Sequence, residues 1–230
     1  MDWSWVADHT DLIWRQTGRN AYLGLVSVAI GLAIALPLGV LCARYRWLYA
    51  PISALTTALY AVPSLAFFVV LLDYTGLRDR VIIIPLAIYS LSILVPAVVD
   101  GLRNVPEDVR QSATAMGFGP MRRLVTVELP VAVPVVIAGL RVATVSSLSL
   151  VSVGSLLGDN FGGLGYFFTQ GFQLPFTTEI WVGIVAVIVL ALVCDLVLVT
   201  VGRLLTPWVR RRDRRSHRAL PLRLLVRPAA

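Results

Sequence analysis

The feature that most constrains this chain is a set of five long stretches almost without charge. Residues 21–43, 50–72 and 81–99 contain no Asp, Glu, Lys or Arg; 131–157 carries only Arg141, and 180–202 only Asp195. A helix needs roughly 20 residues to cross about 30 Å of hydrocarbon, and prolines inside such a helix are tolerated. Each stretch is long enough. The expected fold is therefore all-α, a polytopic membrane protein with five transmembrane helices. Composition agrees: 57% hydrophobic and 14% charged residues, with a mean hydropathy of +0.80, leave too little polar surface for a soluble domain of 230 residues.

Five crossings put the two ends on opposite sides, and arginine says which is which. With the N-terminus outside, fifteen arginines fall on inner segments and four on outer ones. Inner loops carry the excess of basic residues, so the expectation is N-terminus out and C-terminus in. The chain then divides into an external segment 1–20, a membrane domain 21–204 and a basic tail 205–230. The start, MDWSWVADHTD, lacks a basic n-region and a cleavage site, so no cleaved signal peptide is expected. The tail sequence RRRDRRSHR directly follows a span. It suits anionic headgroups of the lipid bilayer rather than nucleic acid.

Several chemistries are excluded or weakened. Every basic residue is arginine, and a phosphate-cradling P-loop needs a lysine. If ATP drives this chain, another polypeptide binds it. His9 and His217 lie near the termini, so neither a metal cluster nor a Ser-His constellation can form within the spans. No catalytic residue is assigned, and no cofactor or metal is expected in this chain. Cys42 and Cys194 sit inside apolar runs and imply no disulfide. Arg141 and Asp195 are costly inside spans; snorkelling or pairing within the bundle is expected of them rather than proton relay.

Residues 104–130, NVPEDVRQSATAMGFGPMRRLVTVELP, are polar yet lie between two spans. Asn104 can cap a helix with Pro106 in its first turn, where Glu107 and Asp108 complement the dipole. Val105, Val109, Ala113 and Met116 form one apolar stripe, and Ser112, Ala113 and Ala115 are small. Gly117 and Gly119 can end the helix, and Pro120 can start another. Such a stripe either packs on its own bundle or docks a soluble partner.

This segment resembles the EAA loop of permease subunits of ABC importers. Gln111, Ser112 and Ala113 stand at the EAA positions, Gly117 at the glycine that follows, and Leu129–Pro130 at the Leu-Pro ending. YAVPSLAFF in the second stretch, GDNFGGLGYFF after the fourth and EIWVGIVAVIVLALVCDLVL in the fifth are similar to glycine betaine, choline and carnitine osmoprotectant permeases. Those carry Gly-Ala-Gly-Gly-Leu-Gly where this chain has Asp159, Asn160 and Phe161 in the altered part. Methionine permeases share the five-span plan. The resemblance implies a type I importer fold, a second permease chain of the same or a related kind, cytoplasmic ATPase subunits holding ATP and Mg, and an external substrate-binding protein. It also implies ATPase coupling through Val105, Val109, Gln111, Ser112, Ala113, Met116, Gly117, Leu129 and Pro130. A passive channel or structural membrane protein is the rival from another class.

Two further regions are candidates. Tyr60, Ser64, Phe67 and Leu71 fall on one helical face with Pro63 loosening the helix, a candidate path lining or ordinary packing. Residues 158–178 hold Gly158, Gly162, Gly163, Gly165 and Gly171 beside Phe161, Tyr166, Phe167, Phe168 and Phe172. A short helix over 164–172 would bury the rings as an external gate, with Phe168 among its residues; an interfacial aromatic belt is the alternative.

Overall fold

The computed structural model describes residues 3–76, 78–158 and 162–208. Asp159, Asn160, Phe161 and the tail arginines from Arg210 lie outside the described residues. The described chain is helical throughout. A short α1 (Trp3–Asp8) precedes α2 (Thr10–Arg44), then come α3 (Arg46–Tyr60), α4 (Ser64–Thr75) and α5 (Arg80–Arg103). The 104–130 loop contains α6 (Glu107–Ala115) and α7 (Pro120–Arg123). A π-helical segment (Leu124–Glu128) joins α7 to α8 (Leu129–Gly154), and α9 (Tyr166–Gln173) and α10 (Thr177–Leu205) complete the order.

Helices α2, α5, α10 and the run Pro120–Leu157 are each long and apolar enough to cross a membrane. The core is built where α2, α5 and α8 meet. Small residues of α2 make the seam: a Cβ on Gly31 would stand 3.0 Å from the Ala87 carbonyl, and one on Gly39 would stand 2.5 Å from the Val98 side chain. With little hydrophobic force between helices in lipid, such close backbone approach is what holds spans together. Of the four long spans, α10 is the least buried.

Two element limits depart from those read in the sequence. Residues 10–20 are continuous with the first span, because α2 starts at Thr10 and runs 35 residues. At 1.5 Å per residue that is about 52 Å, well beyond one hydrocarbon thickness. The second stretch is not one helix: α3 and α4 meet at 88°. Pro63 has no N–H to continue the ladder and biases Val62 away from helical geometry. Tyr60 and Ser64 therefore do not share a helical face. The bent pair nevertheless runs the length of α5. The Arg103 guanidinium lies 4.9 Å over the Tyr49 ring of α3, while Phe68 of α4 is buried with Val81, Ile82 and Leu86 at the other end of α5.

Arg141 and Asp195 pair, as expected for charges within spans. The Arg141 Nε donates to Asp195 Oδ1 at 2.6 Å and its Nη2 to Oδ2 at 2.8 Å, clamping α8 to α10.

Candidate functional site

The 104–130 loop is a braced helical element. Pro106, not Asn104, occupies the N-cap of α6; Asn104 instead closes α5, its N–H donating to the Asp100 carbonyl. The displacement follows from Pro106, whose ψ of 140° turns the chain just before the helix. Glu107 and Asp108 fill the first turn as expected. At the other end Gly117 adopts φ +81°. Its N–H donates to the Thr114 carbonyl and that of Phe118 to the Ala113 carbonyl, the paired bonds of a Schellman stop.

The apolar stripe of the loop is only partly buried within the chain. Val105 is 4% and Ala113 1% exposed, Val109 is half-buried, and Met116 is 68% exposed. The exposed face is therefore Gln111, Ser112, Ala115 and Met116. Of the two alternatives for the stripe, packing within its own chain accounts for Val105 and Ala113, and their burial fixes the helix in place. Leu129 and Pro130 are half-buried where the chain enters α8. Arg123 does the bracing. Its Nε donates to Glu128 Oε1 at 2.8 Å, and its Nη1 to the Thr114 hydroxyl at 3.0 Å. Arg110 donates from Nη2 to the Leu102 carbonyl at 2.6 Å, tying α6 back to α5.

At the α3–α4 break, the structure brings Tyr60 and Phe67 together through a residue that sequence reasoning did not select. Tyr89, 4% exposed, packs edge-on to Tyr60 (5.6 Å between centroids) and to Phe67 (5.8 Å). Its hydroxyl donates to the Val62 carbonyl at 2.8 Å, satisfying a group freed by the break. Tyr89 is the sole aromatic of α5, which was the available signal. Pro63 is exposed, and Ser64 is half-buried.

At the opposite end of the bundle from the 104–130 loop, residues 162–173 fold over α2 and α8. The expected short helix forms as α9, beginning at Tyr166. Gly158, Gly162 and Gly163 have φ of +137°, +61° and +87°, values reserved for glycine. Gly165 is needed for space, since a Cβ there would stand 2.1 Å from the Ser152 carbonyl oxygen. The fully buried ring is Phe167, not Phe168; Phe168 is half-buried against Gly183 of α10, and Phe172 is 83% exposed. One face of a single short helix cannot bury all these rings.

Gln16 and Asn20, absent from the sequence candidates, hold this segment down. Gln16 Oε1 accepts from the Gly163 N–H at 2.8 Å. Asn20, fully buried, accepts from the Leu164 N–H at 3.2 Å and donates to the Leu148 carbonyl at 3.1 Å. They are four residues apart, hence on one face of α2, just before the apolar run. Asp79 takes Arg19 of the same helix end as a two-pronged partner, one prong at 3.0 Å. From α1, the Trp5 ring meets Phe167 and Phe176 edge-on.

These features define a polytopic helical membrane subunit with one rigid helical loop between α5 and α8 and a glycine-rich cover at the far end. Residues 35–211 match the family described as "Binding-protein-dependent transport system inner membrane component", and the chain belongs to it. It is 32% identical over 190 residues to the glycine betaine/carnitine/choline transport system permease protein OpuCD of Bacillus subtilis (strain 168), covering 82% of each chain. It is 32% identical over 193 residues to the osmoprotectant import permease protein OsmW of Salmonella typhimurium, covering 81% of this chain and 89% of that one. The fold is similar to a chain of the inward-facing MetNI methionine ABC transporter, with a TM-score of 0.74 at 22% identity, over 86% of this chain and 98% of that one. The protein is thus a multi-pass inner-membrane transport component of an ABC importer.

Proposed function

We propose that this chain is the permease of an importer for a small osmoprotectant such as glycine betaine, choline or carnitine, driven by ATP bound with Mg on partner ATPase subunits. The names of relatives about one-third identical over four-fifths of the chain support the substrate class. The observation that carries the coupling reading is α6: a helix stopped by a Schellman motif, braced by Arg123, with Gln111, Ser112 and Met116 outward. Motion imposed on that face passes into α8 through the π-helical segment without an intervening flexible link.

The N-terminus is outside and the C-terminus inside, with α3 and α4 together making one crossing; the arginine distribution supports this placement. A second permease chain and an external binding protein complete the importer. Tyr60, Phe67 and Tyr89 flank the path, and the segment over Gln16 and Asn20 closes its outer end. The binding protein selects the quaternary ammonium through aromatic faces.

The test is reconstitution. The permease with its ATPase in proteoliposomes, given the binding protein, is assayed for ATP-dependent uptake of labelled glycine betaine, choline, carnitine and methionine. Uptake of at least one quaternary ammonium compound, with none of methionine, is expected. Uptake of methionine alone sinks the substrate reading.

A further inference from the structure

The cavity between the C-terminal end of α2 and the 104–130 loop has a charge balance that bracing the loop does not use up. It has a volume of about 390 Å³, and Arg44, Arg110, Arg123 and Glu128 line its polar side. Three arginines less one glutamate leave two positive charges. Arg123 is committed to Glu128 and Thr114. Arg110 gives Nη2 to the Leu102 carbonyl, and its Nη1 is 3.8 Å from the exposed Glu107 carboxylate. Its Nε is buried with no acceptor among the described residues. Arg44 makes no ion pair among the described residues and ends α2, a helix apolar enough to cross a membrane.

The other side of the cavity is apolar, formed by Val40, Ala43, Leu102 and Leu124. We infer that this cavity binds the phosphodiester headgroup of an anionic phospholipid, with its glycerol and first methylenes against the apolar side. A phosphodiester brings one negative charge and several acceptor oxygens for Arg44 and the Arg110 Nε–H. A free anion would leave the apolar half unused. Basic pockets at the ends of spans are where anionic headgroups are recognised. Gln111, Ser112 and Met116, the outward residues of α6, do not line the cavity, so a partner on that face and a lipid here can be held together. This inference rests on α2 being a membrane crossing, not on the docking of an ATPase.

The test counts lipids on the intact full-length chain. Protein in detergent with equal phosphatidylglycerol and phosphatidylcholine is examined by native mass spectrometry. Wild type is expected to retain one phosphatidylglycerol in preference to phosphatidylcholine. Arg44→Glu changes the local charge by two steps of roughly fivefold each, so retention falls about 25-fold. Arg110→Gln lowers it as well, and Arg203→Glu, a charge change at the end of α10, leaves it unchanged. Equal retention by wild type and Arg44→Glu overturns the site. Displacement of the lipid by millimolar inorganic phosphate reassigns it to a free anion and overturns the lipid reading. Expulsion of the lipid when the partner ATPase binds does so too, since the pocket would then serve that partner.

Discussion

Asn20→Ala tests whether buried amides of α2 hold the glycine-rich cover shut. The change removes the acceptor of the Leu164 N–H, whose residue is fully buried, and the donor to the Leu148 carbonyl. Orphaning a buried N–H costs about 1–3 kcal/mol. The bond to Leu148 joins α2 to α8 rather than to the cover, and the Leu148 carbonyl lies within α8, where it keeps the helical bond to the residue four ahead, so it adds little to opening. The loss of the Leu164 bond, about 1–3 kcal/mol, raises the opening constant of the cover about 5- to 160-fold. The reporter is Ser152→Cys in a background with Cys42 and Cys194 replaced by alanine. Ser152 lies directly under Gly165, and its hydroxyl has no hydrogen bond among the described residues, so the thiol forfeits none. Labelling by a small water-soluble thiol reagent should accelerate by that factor in Asn20→Ala. It should change much less in Asn20→Asp, which keeps the acceptor for Leu164. Equal labelling rates with Asn20 intact and with Asn20→Ala, at equal thermal stability, would refute the latch.

Gly163→Val should abolish transport at normal expression, because φ is +87° and the new Cβ would stand 3.1 Å from Asn20 Oδ1; normal uptake would favour an aromatic belt. Removing one member of the Arg141–Asp195 pair should lower the melting temperature of the purified protein more than the double change Arg141→Met with Asp195→Leu, since single removal strands a charge in a span. Tyr89→Phe should cost about 0.5–1.5 kcal/mol by loss of the bond to the Val62 carbonyl, read as a lower unfolding midpoint. Ala113→Asp should weaken the loop itself, because Ala113 is buried, whereas Met116→Asp should unseat the ATPase with the melting temperature unchanged; co-purification and a thermal scan separate the two.

The spans were legible because charge cannot be hidden in hydrocarbon, so uncharged runs of sufficient length announce themselves. The break at Pro63 was legible only as a looser helix. Tyr89, which satisfies the Val62 carbonyl freed by the 88° bend, is a tertiary partner 26 positions downstream of Pro63 that spacing along 50–72 cannot show. For the loop, periodicity grouped Val105, Val109, Ala113 and Met116, but the structure buries Val105 and Ala113 and exposes Met116, since periodicity cannot say against what a stripe is buried. Val105 and Ala113 are buried within the chain, while Gln111, Ser112, Ala115 and Met116 stay exposed. Glycine content marked the cover through Gly162, Gly163 and Gly165, but its anchors Gln16 and Asn20 sit some 145 positions earlier. Two amides on a helix face before a span look like ordinary surface until their partners are seen.

In the proposed importer, an ATPase partner grips the outward face of α6. A photo-crosslinking residue is placed at position 112 or 116 in the assembled importer, and at position 142, an exposed site on α8, as comparison. Adducts with the ATPase subunit are predicted from 112 and 116 and not from 142. No ATPase adduct from either loop position, in a complex that still hydrolyses ATP on addition of the binding protein, would contradict docking on this face.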